Sequence, residues 1–201
     1  MIRRRETPAE GRARRAAVDD AAAVVDAAAR FLEARARSVG EVRRRLRDAG
    51  YRADLIEGAI ERLTDLGMLD DAAFARAWVE SRDRARPRGA RALRDELRRK
   101  GVRAQDVEAA LAAREASSTG MDEDDLALRP AAGERAESGA SDEDAGARLL
   151  ARRGGPILRE PEPRKRRAKA YALLARNGFD PDVCARLATA WLADGVPDPD
   201  E

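Results

Sequence analysis

One unit of sequence occurs three times in this chain, and no other feature constrains the fold as strongly. In each copy a leucine is followed four residues later by a glycine, then directly by an apolar residue, and five residues later by another. The positions are Leu46, Gly50, Tyr51 and Ile56; Leu97, Gly101, Val102 and Val107; and Leu174, Gly178, Phe179 and Cys184. Agreement at four positions in three copies is typical of a repeat protein.

The chemistry of the unit predicts a helix, a glycine stop, a short turn and a second helix. Each glycine ends an amphipathic run, where the chain needs a left-handed residue that glycine adopts at low cost. The apolar residue after it is placed to pack back on the preceding helix. In the first copy we expect Asp54, with Glu57 three residues on, to cap the next helix. In the third copy, Asp180 precedes a helix-starting Pro181.

A further apolar stripe precedes each of these helix pairs. Before the first pair, Val24, Ala28 and Leu32 recur at helical spacing, and Ser38 with Glu41 predicts a capping box for the middle helix. Composition agrees, because Ala, Leu, Arg and Glu dominate while aromatic residues make up only 3%. The chain is therefore predicted to be all-α, with three tandem three-helix repeats, each stabilised by its neighbour.

The spacing of the repeats locates an insertion. The leucines of the first and second copies lie 51 residues apart, and those of the second and third copies lie 77 apart. The excess matches a stretch rich in Ser, Gly and acidic residues that lacks periodicity. The predicted organisation is a basic flexible tail at residues 1–18, repeats at 19–67, 68–114 and 142–195, an acidic disordered linker at 115–141, and a C-terminal tail at 196–201.

The formal net charge of +2 hides a strong separation of charge along the chain. Residues 1–113 hold 26 Lys and Arg against 20 Asp and Glu, residues 114–146 hold 3 against 10, and residues 147–201 hold 11 against 8. Two basic blocks separated by an acidic one indicate a polyanionic partner. The alternative is a biased genome composition that places Arg and Ala throughout the protein.

The residue inventory disfavours several function classes. The chain has no histidine and one cysteine, so the usual metal ligand and neutral-pH base are missing and no intramolecular disulfide can form. We find no Gly-rich phosphate loop, no secretory signal and no apolar run of the roughly 20 residues that span a bilayer. These features predict a cytoplasmic, non-enzymatic protein without a cofactor.

The candidate binding residues are arginines and lysines in dense stretches. Arg91, Arg94 and Arg98 share one helix face that can follow phosphates, although a solvated outer face is the alternative. In the first repeat, intrahelical pairs of Arg45 with Glu41 and of Arg44 with Asp48 compete with binding. The predicted contacts are Arg35, Arg37, Arg43, Arg44, Arg82, Arg88, Arg91, Arg94, Arg98, Arg99, Lys100, Arg164, Lys165 and Arg167. Trp78, Trp191 and Cys184 are interpreted as core residues.

Several sequence strings resemble the RecX family of RecA regulators. They are Leu32–Ser38, Glu41–Val42, Leu46 and Gly50–Tyr51 in the first repeat; Leu66–Asp71, Phe74–Ala75 and Trp78 at the junction; Arg82, Gly89 and Glu96–Val102 in the second; and Leu174–Phe179 in the third. The likeness covers about residues 20–114 strongly and 145–194 more loosely. It departs from the family pattern at the long insertion, at the Gly/Pro-rich loop of the third repeat, and at Gly40 and Gly58.

The resemblance implies that the repeats form an elongated, curved array and that the protein is a negative regulator that lies in the groove of the RecA–single-stranded-DNA filament. We expect a monomer, although the sequence leaves the oligomeric state open. Such a regulator inhibits the ATPase, strand exchange and coprotease activities of RecA, and thereby affects DNA repair and the SOS response. Binding to duplex DNA stays open. Two rival hypotheses are a helix-turn-helix-like DNA-binding regulator and a helical protein-binding scaffold, and an enzyme ranks last.

Overall fold

The structure is a computed structural model that describes residues 7–119 and 141–194, and its regular elements within these ranges are helices. The helices are α1 (Pro8–Ala16), α2 (Ala21–Leu32), α3 (Val39–Ala49), α4 (Ala53–Asp65), α5 (Asp71–Ala85), α6 (Ala90–Arg99), α7 (Ala104–Thr119), α8 (Asp142–Arg153), α9 (Gly155–Leu158), α10 (Pro163–Arg176) and α11 (Pro181–Asp194). The all-α prediction is confirmed.

The contacts divide the chain into two compact units. Unit 1 comprises Met1–Ala75 and Arg98–Asp106, and unit 2 comprises Arg76–Leu97 and Val107–Glu201. The buried core of unit 1 is drawn from α2, α3, α4 and the turn after α4, and it consists of Val24, Ala28, Val42, Leu46, Ile56, Ala59, Ile60, Leu63 and Leu69. A buried core cluster of unit 2 is drawn from α8, α10 and α11, and it consists of Ala145, Leu149, Leu150, Ala170, Leu174, Phe179, Cys184 and Ala188.

Cys184 is buried in this second core as expected, and burial raises the pKa of its thiol. A thiol with a raised pKa holds little of the nucleophilic thiolate form at neutral pH, so the residue behaves as a small apolar side chain. Trp191 also packs against this core, although its side chain stays half-buried.

The three repeated glycines end their helices in the predicted left-handed conformation. Their φ values are +100° at Gly50, +81° at Gly101 and +83° at Gly178. In the first and third copies the next amide donates back to the repeat leucine, with 3.2 Å from Tyr51 N to the Leu46 carbonyl oxygen and 3.4 Å in the third copy. Val102 and Phe179 are buried and Tyr51 is half-buried, so this residue packs inward in each copy.

The two predicted capping sites of the first repeat have opposite outcomes. Ser38 Oγ accepts a hydrogen bond from the Glu41 amide and the Glu41 carboxylate accepts one from the Ser38 amide, so the capping box of α3 is confirmed. The Asp54 cap is wrong, because α4 begins at Ala53, two residues before the start that an Asp54 cap implies, and Arg52 occupies the N-cap position without a side-chain cap. Asp54 forms an ion pair with Arg52 at 2.7 Å instead.

Part of the predicted N-terminal tail is a helix. Residues 8–16 form α1, which begins with a capping box between Thr7 and Glu10 and has Pro8 in its first turn. Arg15 Nε donates to the carbonyl oxygen of Ala49 at 2.7 Å, which connects α1 to the end of α3. At the far end of the second repeat, α7 continues to Thr119 and so includes the start of the predicted acidic linker. The rest of that linker, residues 120–140, lies outside the described residues.

Candidate nucleic-acid interface

In unit 1, the start of α3 is docked against the glycine turn that follows α6. Ser38 Oγ donates to the carbonyl oxygen of Lys100 at 2.6 Å. A methyl group on Gly40 would lie 2.6 Å from the Gly101 Cα, so the two backbones meet at a distance that only glycine permits. Gly40, a departure from the family pattern in the sequence, is thus required by this contact. The docking places residues 98–100 beside α3.

The basic residues that precede α3, lie on α3 and end α6 form what we call the unit 1 basic cluster, which consists of Arg35, Arg37, Arg44, Arg98, Arg99 and Lys100. Glu41 connects two of them, with 3.0 Å to the Arg35 guanidinium and 3.1 Å to the Lys100 ammonium. Arg44 Nη2 donates to the Arg99 carbonyl oxygen at 3.0 Å. Sequence analysis predicted all six residues separately, and these contacts bring four of them to one place.

Glu41 is the acidic residue that orders this cluster. Burial raises its pKa, but hydrogen bonds from Arg35, from the Ser38 amide and from Lys100 outweigh that effect, so the pKa is held below its usual value. Glu41 is therefore ionised at neutral pH and fixes two cations. The side chains of Arg98 and Arg99 are exposed and form no ion pair with the described residues.

Two cation–π contacts of unit 1 involve Phe31. The guanidinium of Arg37 lies 4.3 Å from the centre of the Phe31 ring, and that of Arg45 lies 5.7 Å from it. These cation–π contacts hold both arginines over an apolar side chain. The expected intrahelical pairs of Arg45 with Glu41 and of Arg44 with Asp48 do not form. Glu41 pairs with Arg35 and Lys100 instead, Arg45 stacks on Phe31, and Arg44 donates to the Arg99 carbonyl oxygen.

Arg43 differs from the rest of the basic residues of α3. Its guanidinium forms a two-point contact with the Glu57 carboxylate, at 2.7 Å for both hydrogen bonds. The pKa of Glu57 is lowered chiefly by this pair. Binding of a phosphate by Arg43 would first have to break a strong contact between α3 and α4.

Several predicted binding residues of unit 2 are engaged in internal contacts. Glu96 accepts hydrogen bonds from Arg82 Nε at 2.7 Å and from the Trp78 indole at 2.9 Å, and Arg82 stacks on the Trp78 ring at 4.4 Å. Trp78, interpreted as a core residue, is half-buried, and its indole N–H is hydrogen-bonded. Arg94 forms a two-point contact with Glu108 at 2.8 and 2.9 Å.

The arginines on the predicted phosphate-following face of α6 therefore differ in whether they are paired with a carboxylate. Arg94 is paired, whereas Arg91 is exposed and forms no ion pair with the described part of the chain. At the start of α10, the three predicted residues are exposed: Lys165 pairs with Glu162 at 2.7 Å, and Arg164 and Arg167 have no such partner within the described ranges.

Unit 2 repeats the docking contact of unit 1. The Gly89 amide donates to the Asn177 carbonyl oxygen at 3.1 Å, and a methyl group on Gly89 would overlap the backbone of Gly178. Arg88 Nη1 donates to the Asn177 side chain at 2.9 Å. A glycine near the start of α6 thus meets the glycine that ends α10, as Gly40 meets Gly101.

Sequence analysis missed the residues that fasten these contacts. Asp71 accepts from the Val39 amide at 2.8 Å in unit 1, and Asp142 accepts from the Ala90 amide at 2.9 Å in unit 2. Arg114, of which 4% is exposed, pairs with Asp142 at 2.5 Å. A second pair joins it to Asp83 at 2.8 Å. No local pattern marks these residues, since each acts on a partner at least 28 residues away.

Two searches of the described ranges gave negative results. No group of three or more Cys, Asp or Glu side chains at residues 7–119 and 141–194 is arranged to hold a metal ion. No helix in these ranges has the length and apolar character to cross a bilayer.

The chain is similar to regulatory proteins of known family. Residues 25–63 match the model of the first three-helix domain of RecX, and residues 70–111 match the second. The regulatory protein RecX of Mycolicibacterium vanbaalenii is 34% identical over 82% of this chain and 79% of its own. The regulatory protein RecX of Thermobifida fusca is 33% identical over 74% and 70%. A crystal structure of RecX from Lactobacillus salivarius, 20% identical, superimposes with a TM-score of 0.64 over 87% of this chain and 98% of its own.

Proposed function

The chain belongs to the RecX family of regulatory proteins, and we propose that it is a negative regulator of the RecA recombinase. In this proposal it binds the RecA–single-stranded-DNA filament as a cytoplasmic monomer without a cofactor. Binding inhibits the ATPase, strand exchange and coprotease activities of RecA, and so restrains DNA repair and the SOS response. Its role is binding rather than catalysis.

The observation that carries the proposal, besides the family, is the state of the predicted basic residues. Six of them are exposed and have no carboxylate partner among the described residues: Arg44, Arg91, Arg98, Arg99, Arg164 and Arg167. Such guanidinium groups hold only mobile counterions in the free protein. Counterions released when phosphates replace them favour association, and this contribution decreases as the salt concentration rises.

The paired arginines contribute less to binding in this proposal. Arg43, Arg82 and Arg94 already make charge-assisted hydrogen bonds at 2.7 to 2.9 Å within their own unit. A phosphate gains little from such a residue, because the new contact replaces an existing one. The structure thus separates the predicted residues into a free class and a paired class, which mutagenesis can compare.

The experiment measures binding of the fluorescently labelled protein to RecA filaments assembled on single-stranded DNA, by anisotropy at low and high salt. We expect binding that weakens as salt increases. We expect Arg98→Gln/Arg99→Gln to weaken it about tenfold, since each charged contact contributes roughly 1 kcal/mol or more. Arg164→Gln/Arg167→Gln is the corresponding variant of unit 2.

The matched control removes the same charge from the paired class. Arg43→Gln/Arg94→Gln should bind within about threefold of the wild type, provided that circular dichroism shows an unchanged helix content. No filament binding by the folded wild type would contradict the proposal. Equal losses in the free and paired variants would contradict the division into two classes.

A further inference from the structure

Unit 1 contains a cleft that lies between α1 and α3, outside the unit 1 basic cluster. Its volume is about 420 Å³, within the range of about 300–1,000 Å³ of small-molecule sites. Three arginines, one aspartate and one tyrosine supply its polar lining: Arg12, Arg15, Arg45, Asp48 and Tyr51. The matched family domains begin at residue 25, so α1, which supplies Arg12 and Arg15 to the cleft, lies outside them.

The backbone holds the cleft open in a defined geometry. A methyl group on Gly50 would lie 2.9 Å from the Arg12 carbonyl oxygen, so α1 rests directly on the glycine turn. Arg15 Nε donates to the Ala49 carbonyl oxygen at 2.7 Å and anchors α1 to the end of α3. Arg45 stacks on Phe31 at 5.7 Å, which limits its rotamers.

The guanidinium groups of this cleft are not neutralised. Arg12 and Arg45 form no ion pair with the described residues, and Arg15 uses only Nε in its hydrogen bond to Ala49. Asp48 lines the cleft without pairing to any of them, so three positive charges face one negative charge. This excess favours an anion.

A second cleft of unit 1 provides the contrast. It has a volume of about 500 Å³ and two arginines, Arg43 and Arg103, but also three aspartates. Arg43 is paired with Glu57 and Arg103 with Asp106. The larger cleft therefore has no excess of positive charge, and of these two clefts the α1–α3 cleft is the one with unpaired cationic groups.

From this arrangement we infer that the α1–α3 cleft binds one nucleotide unit of single-stranded DNA, with the phosphate on Arg12, Arg15 and Arg45 and the base against Tyr51. Guanidinium groups match phosphate oxygens through paired N–H donors. Tyr51 packs one side on the core of unit 1 and remains half-exposed at the cleft, which gives a base a fixed aromatic surface. The inference deepens the proposed function, on which it rests for the choice of ligand.

A nucleotide fits this lining better than an acidic protein side chain does. A carboxylate would use the arginines but leave the tyrosine without a role, whereas a nucleotide uses both. Single-strand binders combine these two elements, a cationic path for the backbone and aromatic side chains for the bases. Free nucleotides share this chemistry, so the experiment must distinguish them from a DNA strand.

The test measures binding of the full chain to a labelled oligothymidylate of about 20 nucleotides, longer than the usual site sizes, in the absence of RecA. We expect Arg12→Gln/Arg45→Gln to weaken binding about tenfold. The slope of log affinity against log salt should become shallower by about 0.7 for each lost phosphate contact. Tyr51→Phe should preserve the affinity and Tyr51→Leu should reduce it, with helix content checked for each variant.

The matched control is Arg47→Gln/Arg62→Gln, which removes two exposed arginines of unit 1 that do not line the cleft. A loss of affinity as large as that of Arg12→Gln/Arg45→Gln would overturn the inference, as would Tyr51→Leu with wild-type affinity. Thymidine monophosphate that bound as tightly as the oligonucleotide would overturn the assignment to DNA. Because RecA is absent, these outcomes are independent of whether the chain inhibits RecA.

Discussion

The docking contact in unit 1 and that in unit 2 share one backbone arrangement but are fastened by different chemistry. In each, a glycine near the start of one helix meets the glycine that ends another, Gly40 with Gly101 and Gly89 with Gly178. In each, the first residue of a later helix accepts a hydrogen bond from the amide of the docked helix start. Unit 1 adds the hydroxyl of Ser38, whereas unit 2 adds the buried guanidinium of Arg114.

The comparison shows that the backbone contact is the repeated element and that the side chains around it are replaceable. A hydroxyl satisfies one carbonyl at little electrostatic cost. The buried triad of Arg114 with two aspartates requires complete pairing, because loss of one member leaves the others charged in a poorly solvated place. The two docking contacts should therefore respond very differently to single substitutions.

The largest effect is expected at Arg114. Arg114→Met leaves Asp83 and Asp142 without their cation, and we expect the free energy of unfolding to fall by about 3–5 kcal/mol. Urea denaturation followed by circular dichroism measures the change. The control is Arg186→Met, which removes an exposed pair with Glu143 in the same unit and should cost about 0–1 kcal/mol. Similar losses in both variants would show that the triad is not a special element of unit 2.

The next effect is expected at the docking glycines. Gly89→Ala places a methyl group into the Gly178 backbone, and Gly40→Ala places one 2.6 Å from the Gly101 Cα. Because neither backbone can yield as a side chain does, we expect losses of about 3 kcal/mol from each by thermal or urea unfolding.

Gly58→Ala is the control for both glycine variants. It lies on α4 with nothing near the added methyl group, and it should stabilise the protein by about 0.5–1 kcal/mol. Stability within error of the wild type for Gly40→Ala or Gly89→Ala would contradict the close approach at that contact.

A smaller effect is expected at Ser38. Ser38→Ala removes both the cap of α3 and the hydrogen bond to Lys100, while the buried Lys100 carbonyl loses a donor. We expect a loss of about 1–2 kcal/mol in the free energy of unfolding. Ser38→Thr keeps the hydroxyl and should recover part of the loss, and failure of both variants to the same extent would assign the effect to packing instead.

The smallest effect is expected in the dependence of the free energy of unfolding on acidic pH. Hydrogen bonds hold the pKa of Glu41 below its usual 4.5, so its contribution to stability is complete above that pH and is lost as the pH falls through the lowered value. The effect of falling pH on stability is opposite in sign at Asp83. Burial raises the pKa of this carboxyl, so its protonation favours the folded state. Glu41→Gln should therefore reduce the loss of stability below pH 4.5, by less than about 1 kcal/mol. If Glu41→Gln lost stability at acidic pH to the same extent as the wild type, this role of Glu41 would be contradicted.

Local signals in the sequence were sufficient for several of the helix ends. Glycine at Gly50, Gly101 and Gly178 and the capping box at Ser38 act within a few residues, so spacing alone predicts them. The Asp54 cap failed because α4 begins at Ala53, so Asp54 lies inside the helix and pairs with Arg52.

The sequence could predict which stretches of the chain are rich in basic residues, but not which of these residues are free to bind a partner. Which arginine is free depends on distant carboxylates, such as Glu57 for Arg43 and Glu108 for Arg94, each 14 residues away. The helix α1 within the predicted tail had a local signal, the capping box of Thr7 and Glu10, that sequence analysis did not use. The role of Arg114 required the folded chain, because its carboxylates lie 31 and 28 residues away.

The most direct test of the central claim is the rate of ATP hydrolysis by RecA on single-stranded DNA, titrated with this protein from substoichiometric ratios upward. We expect inhibition well below one regulator per RecA, weaker at high salt and weaker for Arg98→Gln/Arg99→Gln than for the wild type. An unchanged rate at a stoichiometric excess of folded protein would contradict the proposal that the chain restrains the RecA filament.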